Sequence, residues 1–343
     1  MTRLSRRRLA VAVPLAVPLA TALGALAAPP VFAHGLVPDA PPTILGLATD
    51  WGLEPAVVLP LLAAALLWVW AVRRIRERHP SNPVPPVRSA AFAGGLASIA
   101  IALLSGIDRY DTTLFSVHMV QHLLLTLVAA PLLALAAPVT TLLRVASPNV
   151  RRRVLLPILH SRLARILGFP VVSWLIFAGV MWGTHFSPIF DRSLEDPLVH
   201  DLEHGLYLAA ALLFWWPAVG LDPSPWRMPH PVRAIYAFLQ MPQNTFLAVA
   251  ILYAGSPLYA HYATLVRPWG PTALEDQQLA GVLMWLGGDA LFLAAIGAIV
   301  AGWMRHESRN EVASDRRVEA ERAAIRSREA RLAERLAEER DGR

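Results

Sequence analysis

The sequence has no cysteine and no lysine among its 343 residues. The absence of thiols excludes disulfides and thiolate metal sites. Charge is also scarce, because 16% of positions are charged and 55% are hydrophobic, too apolar a balance for an ordinary soluble fold. The formal net charge of +6 comes largely from arginines beside apolar runs, a pattern of membrane topology rather than of nucleic-acid binding. Composition therefore predicts an all-α integral membrane protein in contact with the lipid bilayer, with no nucleic-acid partner.

Residues 1–33 have a basic start, a long apolar stretch and the tripeptide Val31-Phe32-Ala33, which fits the small residues before a signal-peptidase cut. We predict a signal peptide; the alternative is an uncleaved first span, since the apolar stretch is long. Cleavage after Ala33 makes His34 the mature N-terminus. Its amine and imidazole offer two donors to one copper ion, whereas the simpler alternative is a chance residue after the cut. Residues 34–52 then form an extracytoplasmic N-terminal segment.

Seven further runs are long and apolar enough to cross the membrane. A helix needs about 20 apolar residues to span a hydrocarbon core of ~30 Å. We therefore predict a seven-transmembrane-helix bundle over residues 53–303. The runs cover residues 53–72, 88–107, 114–136, 168–188, 198–219, 231–254 and 279–303.

Arginine clusters give the orientation, because cytoplasmic loops carry the excess of positive charge. Arginines follow the first, third, fifth and seventh runs, so every odd span ends in the cytoplasm. The N-terminus is predicted outside and the C-terminus cytoplasmic. The charged cytoplasmic tail, residues 304–343, alternates signs without a sustained apolar seam and is predicted as a solvated helix or partly disordered arm, with a partner-binding coiled coil as the alternative.

Five histidines fall at the predicted outer ends of three spans. His118 and His122 in "HMVQH" repeat the four-residue spacing of His200 and His204 in "HDLEH", and His185 ends the fourth run. That spacing places each pair on one helical face. Ionisable groups at membrane depth are costly unless they face a bundle interior and are paired or ligated. We therefore predict one shared site, against the alternative that these are hydrogen-bonded packing residues.

The donor types indicate a metal. Imidazole suits copper, zinc and iron, and thioether selects copper(I), which makes copper the favoured ion, followed by zinc and haem iron. Neighbouring polar side chains can orient the rings. The predicted ligands are His118, His122, His185, His200 and His204, and the auxiliary or supporting residues are Met119, Met181, Gln121, Asp191, Asp201, Glu203 and His34.

A peptidase is an alternative, since "HDLEH" matches the H-x-x-E-H form of a zinc peptidase motif with Glu203 as base. That interpretation leaves the histidines of the third and fourth spans without a role. Asp289, near mid-span, can relay a proton, but helix packing through a hydrogen bond to Gln240 or Asn244 is the simpler expectation. Pro242 predicts a kink in the sixth span.

Three blocks carry a resemblance to a known family. They are "HMVQHLLLTLVAAPLLAL" (118–135), "HFSPIFDRSLEDPLVHDLEHGLYLAAALLFWWPAVG" (185–220) and "DQQLAGVLMWLGGD" (276–289). In these blocks and their spacing the chain resembles the polytopic CtaG family of cytochrome c oxidase assembly factors, which are associated with caa-type oxidases. The resemblance runs from about residue 45 to residue 305 and leaves out the leader, His34 and the tail.

The resemblance implies a multi-pass plasma-membrane protein that is not an enzyme and that acts on cytochrome c oxidase subunits, by delivering or inserting copper. An extracytoplasmic copper donor would be a further partner. The matching positions are the five histidines, with Glu203 and Asp191 beside them. Haem binding and a metal-free chaperone of an oxidase subunit remain the alternatives, because histidines facing each other across spans can also ligate haem iron.

Overall fold

The computed structural model describes residues 37–341, and within them every regular element is a helix. The all-α prediction is confirmed for this part of the chain. The predicted leader and His34 lie outside the described residues. Each of the seven predicted apolar runs is helical. The seven long helices are α1 (Pro55–Arg78), α2 (Pro86–Leu104), α3 (Phe115–Leu123, Leu124–Ala129 and Ala130–Ala136), α4 (Pro170–His185), α5 (Pro197–Val219), α6 (His230–Phe238 and Gln240–Leu252) and α7 (Ala273–Val282, Leu283–Gly287 and Gly288–Asp341).

Shorter helices precede the first of these seven or connect them. On the outer side of the predicted topology they cover Ile44–Thr49, Gly106–Tyr110, Pro188–Glu195 and Ala260–Thr264. The connection between α3 and α4, on the arginine-rich side, contains Pro138–Val145, Pro148–Val150, Arg151–Leu155, Leu156–Leu159 and Arg162–Leu167.

Proline sets the start of several long helices. Pro55, Pro86, Pro170 and Pro197 each occupy the first turn, where the missing N–H removes no helical hydrogen bond. Asp196 caps α5, since its carboxylate accepts from the backbone N–H of the second and third residues that follow it. The histidine pair of α5 therefore follows a fixed helix start.

Within residues 37–341, five helical segments are long and apolar enough to cross a membrane by length and composition. They are Pro55–Arg78, Pro86–Tyr110, Phe115–Val145, His230–Leu252 and Ala273–Arg331. The two remaining runs, α4 and α5, are helical but are shorter or less apolar than these five. α4 has 16 residues, about 24 Å at 1.5 Å per residue, and α5 carries the polar "HDLEH" in its first turns.

Helices α3 and α5 lie at the centre of the bundle. α5 packs against α3 and α4, α2 packs against α3, and α7 contacts both α6 and α3. The side chains of Tyr207, Phe214 and Trp215 on α5 are fully buried. This packing places α5 against both α3 and α4, so the three histidine-bearing helices are neighbours.

A π-helical turn, Leu124–Ala129, directly follows the histidine pair of α3. Such turns widen the helix and leave carbonyls for outside donors. The hydroxyl of Ser98 donates to the Leu124 carbonyl at 3.0 Å, and the indole N–H of Trp215 donates to the Thr126 carbonyl at 2.9 Å. Side chains from α2 and α5 thus satisfy the irregular turn, as membrane-buried backbone requires.

The predicted kink in the sixth run appears as a break at Leu239, between the two parts of α6. Pro242 has no N–H to donate to the carbonyl of Phe238, four residues earlier. The loss of that bond accounts for the position of the break.

Asp289 does not bond to the partners expected from the sequence. Its carboxylate accepts from the hydroxyl of Thr245 at 3.2 Å, rather than from Gln240 or Asn244. The amide of Asn244 instead donates to the Met284 carbonyl at 3.0 Å. Met284 lies in the π-helical turn Leu283–Gly287 of α7, whose freed carbonyl accepts from the amide.

Candidate metal centre

The five histidines come together in one buried cluster between α3, α4 and α5. Their exposed fractions are between 0% and 4%. Ring centroids lie 4.2 Å apart for His118 and His122, 4.3 Å for His200 and His204, and 5.5 Å for His118 and His200. The ring of His122 lies 5.8 Å from that of His204 and 6.3 Å from that of His185. The tertiary structure therefore joins the two sequence pairs and the fifth histidine.

The imidazoles of His118 and His122 lack hydrogen bonds. In the part of the chain that the structure describes, neither ring nitrogen of either residue has a hydrogen-bond partner. Buried polar side-chain atoms are normally hydrogen-bonded, because an unpaired polar group in a low-dielectric interior is costly. Two adjacent unpaired imidazoles are therefore suited to a ligand that supplies the missing interactions.

His185 is held in a defined tautomer. Its Nδ1 lies 2.7 Å from the Met181 carbonyl oxygen, which only accepts, so Nδ1 carries the proton. Nε2 then bears the lone pair, and it has no hydrogen-bond partner within residues 37–341. A ring fixed through one nitrogen, with the other left to coordinate, is the usual arrangement of metal-ligating histidine.

His200 pairs with a carboxylate that was not predicted from the sequence. Its Nε2 donates to Oδ2 of Asp111 at 3.1 Å, and Asp111 is 0% exposed. The backbone N–H of Thr112 donates to the other carboxylate oxygen at 2.5 Å. Asp111 lies in the segment "GIDRYDTT", which the sequence analysis did not single out. The signal that could have indicated it is its position, directly before a span whose first turns carry histidines.

Two groups of donor atoms are close enough to hold an ion. One comprises Asp111, His118 and His200, and the other comprises His118, His122 and Glu203. Within each group the ligand atoms lie within 4.8 Å of one another. Glu203 is 3% exposed and its carboxylate is one of the three donors of the second group, whereas the sequence analysis predicted a supporting role for it.

The methionines lie in the same core as the histidine cluster. Met119 and Met181 are buried with Phe115 and Phe190. Their role as auxiliary ligands stays a prediction. Gln121 faces α2 instead of the rings, because its amide donates to the Ala102 carbonyl at 3.0 Å.

The two aspartates predicted as supporting residues have different surroundings. Asp191 accepts from the backbone N–H of His261 at 3.0 Å and thus fixes the start of the short helix Ala260–Thr264. Asp201 is exposed at the start of α5 and belongs to neither donor group. Their supporting roles toward the rings stay predictions.

Aromatic side chains cover the end of the cluster that lies near the start of α3. The ring of Phe190, on the short helix Pro188–Glu195, lies 5.1 Å from the ring of His118 and 5.2 Å from that of His185. Tyr262 donates its hydroxyl to the Asp111 carbonyl at 2.6 Å. Burial, and then the nearby Asp111 carboxylate, raise the pKa of Tyr262 well above its usual value, so the phenol remains a donor.

Asp276 on α7 fixes the start of α3. Its carboxylate accepts from the backbone N–H of Phe115 at 2.7 Å and from the hydroxyl of Ser116 at 2.5 Å. A carboxylate at a helix N-terminus satisfies free N–H groups and complements the helix dipole. This contact sets the position of His118, one turn further along α3.

Helices of membrane-spanning length and a buried imidazole cluster define a multi-helix membrane protein with a candidate metal centre. The family model for Caa3_CtaG, the cytochrome c oxidase caa3 assembly factor, matches residues 66–306, more than half of the chain. The chain belongs to this family, as the resemblance in its histidine-bearing blocks predicted.

Mycobacterial proteins are similar over most of the chain. Uncharacterized protein Mb0105 of Mycobacterium bovis is 30% identical over 290 residues, which are 82% of this chain and 44% of that protein. Uncharacterized protein ML1998 of Mycobacterium leprae is 28% identical over 284 residues, 80% of this chain and 43% of that protein. The chain thus spans less than half the length of these relatives. No solved structure matches it significantly.

Proposed function

We propose that this protein is a non-catalytic assembly factor that binds copper at the histidine cluster and delivers it to cytochrome c oxidase. The observation that carries the proposal is the cluster of five buried imidazoles, in which both rings of the α3 pair lack hydrogen bonds. Membership of a family described as a cytochrome c oxidase caa3 assembly factor supplies the recipient.

The topology proposed with it is a seven-span bundle in the plasma membrane, with the N-terminus outside. The five segments of sufficient length and apolarity support it, and α4 and α5, packed against each other, provide the other two spans. The arginine distribution then assigns the cluster to the outer half of the membrane. Copper would arrive from the outside, from an extracytoplasmic donor, and pass laterally to a docked oxidase subunit.

Ligand chemistry favours copper(I) as the cargo. Neutral imidazoles and thioethers both bind it through lone pairs, and thioethers need no deprotonation. His185, whose Nδ1 proton is held by a carbonyl, is already in a ligating tautomer. Met119 and Met181 are proposed as auxiliary ligands.

Copper binding by the purified full-length protein tests the proposal. The protein would be loaded with copper(I) under anaerobic reducing conditions, and the bound metal would be measured after removal of free ion. We expect copper in the wild type and at least about tenfold weaker binding when His118 and His122 are both replaced by Asn. His160→Asn is the matched control, because this exposed histidine bonds only to a carbonyl of its own turn.

The alternatives predict different results. A Soret band in the visible spectrum of the purified protein would identify haem binding and contradict the copper proposal. Unchanged oxidase copper content and activity in cells carrying the double variant, at normal protein levels, would favour a metal-free chaperone. For a peptidase, Glu203→Gln would abolish substrate cleavage with metal still bound.

A further inference from the structure

We propose that Asp111, with His118 and His200, forms a second, outer position for the metal ion, from which the ion moves to an inner position at His118, His122 and Glu203. This inference rests on the proposed function, since it describes how the same cluster takes up its cargo. His118 belongs to both groups of donors, so an ion can change position while one ligand is retained.

The cluster offers more donors than a single ion uses. Five imidazoles and two carboxylates, those of Asp111 and Glu203, lie buried together. Four ligands complete a tetrahedral zinc-type site, and copper(I) accepts no more than that. A surplus of this kind in a dry interior is expensive unless the donors serve more than one ion position.

The geometry of the outer group fits an ion. Two ligand atoms on one tetrahedral ion lie roughly 3.4 Å apart, given metal–ligand bonds of about 2.1 Å. Oδ2 of Asp111 and Nε2 of His200 are 3.1 Å apart, and all three donors of the group lie within 4.8 Å. His118 contributes a ring whose two nitrogens have no hydrogen-bond partner among the described residues. Small side-chain movements, and a shift of the His200 proton from Nε2 to Nδ1 as the ion replaces it beside Asp111, separate this arrangement from a three-ligand site.

Hydrogen bonds on the side away from His200 also hold Asp111 in place, as is usual for a metal ligand. The N–H of Thr112 holds one carboxylate oxygen, and the hydroxyl of Tyr262 holds the backbone carbonyl. The second oxygen is thereby directed toward His200. A bound cation offsets the cost of a fully buried carboxylate better than most other interactions do.

The order of the two positions follows from the chain. Asp111 lies in the loop before α3, whereas His122 is two turns inside that helix. An ion that enters from the loop side therefore meets the Asp111 group first.

Cobalt(II) binding distinguishes one position from two, because its visible spectrum reports the ligands. With full-length protein, we expect both Asp111→Asn and His122→Ala to bind one cobalt(II) ion, each with a spectrum that differs from the other. The double variant should bind at least about tenfold more weakly than either. His122→Ala with Asp108→Asn is the matched control and should keep its ion, since Asp108 contacts Gln121 and belongs to neither donor group.

Two results would overturn the outer position. One is loss of cobalt(II) in His122→Ala alone, and the other is equal binding by His122→Ala with and without Asp111→Asn. If the double variant does not fold, His122→Ala combined with His200→Asn replaces it, because His200 is another ligand of the outer group. We expect the same loss of cobalt(II) binding in that variant. If wild type binds copper(I) but either result is found, the proposed function stands without this second position; a wild type that binds neither metal removes both.

Discussion

The ring of Tyr207 on α5 stacks against the imidazole of His122 on α3, with centroids 4.2 Å apart and planes inclined by 27°. The hydroxyl of the same tyrosine lies 3.1 Å from Nδ1 of His185 on α4. One fully buried side chain therefore orients imidazoles from two other helices. It also contacts the hydroxyl of Thr184, which ties the phenol to α4.

Removing this hydroxyl should weaken metal binding without removing a ligand. In Tyr207→Phe the stacking on His122 is retained, but His185 loses a polar neighbour. We expect copper(I) affinity to fall about tenfold, as is typical when a group behind a ligand is lost, and a competition titration with a chelator would measure it. Tyr253→Phe, at an exposed position, should leave the affinity unchanged; equal losses in both variants would contradict the role of Tyr207.

The contact between Asp276 and the start of α3 should contribute to stability. Asp276→Ala leaves the N–H of Phe115 and the hydroxyl of Ser116 buried without an acceptor. The free energy of unfolding should fall by about 2 kcal/mol, measured by thermal denaturation in detergent. Glu275→Ala, at the neighbouring exposed position, should have a smaller effect, and a reversed order of the two would show that the cap at Phe115 is unimportant.

The π-helical turn of α3 provides another matched pair. Trp215→Phe removes the donor to the Thr126 carbonyl, whereas Trp216→Phe removes an indole N–H that has no hydrogen-bond partner within residues 37–341. The first substitution should cost about 1–3 kcal/mol more than the second, because it leaves a buried carbonyl unpaired. Denaturation of the two variants under the same conditions gives the difference. Equal stabilities would mean that the turn does not depend on this bond.

Phe190 should control access to the histidines. Replacing it with Ala removes a fully buried ring that lies against His118 and His185, and water can enter the polar space that results. Modification of the cluster by diethyl pyrocarbonate should become several-fold faster, as read by mass spectrometry of the modified residues. In Phe186→Ala, where the ring is half-exposed at the end of α4, the rate should stay near that of wild type. Protection that survives loss of Phe190 would contradict this closure.

The proposed orientation can be tested cleanly, because the chain has no cysteine. In single-cysteine variants, Val266→Cys should react with a membrane-impermeant maleimide on intact cells, since this exposed position lies in the outer loop before α7. Ser308→Cys, in the tail that continues α7, should react only after lysis. Reaction of both, or the reverse pattern, would refute the seven-span topology with its N-terminus outside.

Periodicity and apolar length predicted the positions of all seven long helices, because a helix that faces lipid or other helices must be apolar over most of its length. The breaks within helices were harder to predict from the sequence. Pro242 gave the kink of α6 through its missing N–H. The π-helical turns of α3 and α7 have no comparable local signal, since they depend on donors such as Ser98 and Asn244 that come from other helices.

The sequence by itself determined the helical class, the donor types and the grouping of histidines in pairs, since composition and four-residue spacing are local properties of the chain. Only the tertiary structure decided which groups meet. Asp111 is 89 residues from His200, yet the two are in contact, and Gln121, beside His122, faces α2 instead. Helix packing fixes the rotation of each helix and the path of each loop, and a side chain's partner across the bundle follows from that rotation rather than from its neighbours in the chain.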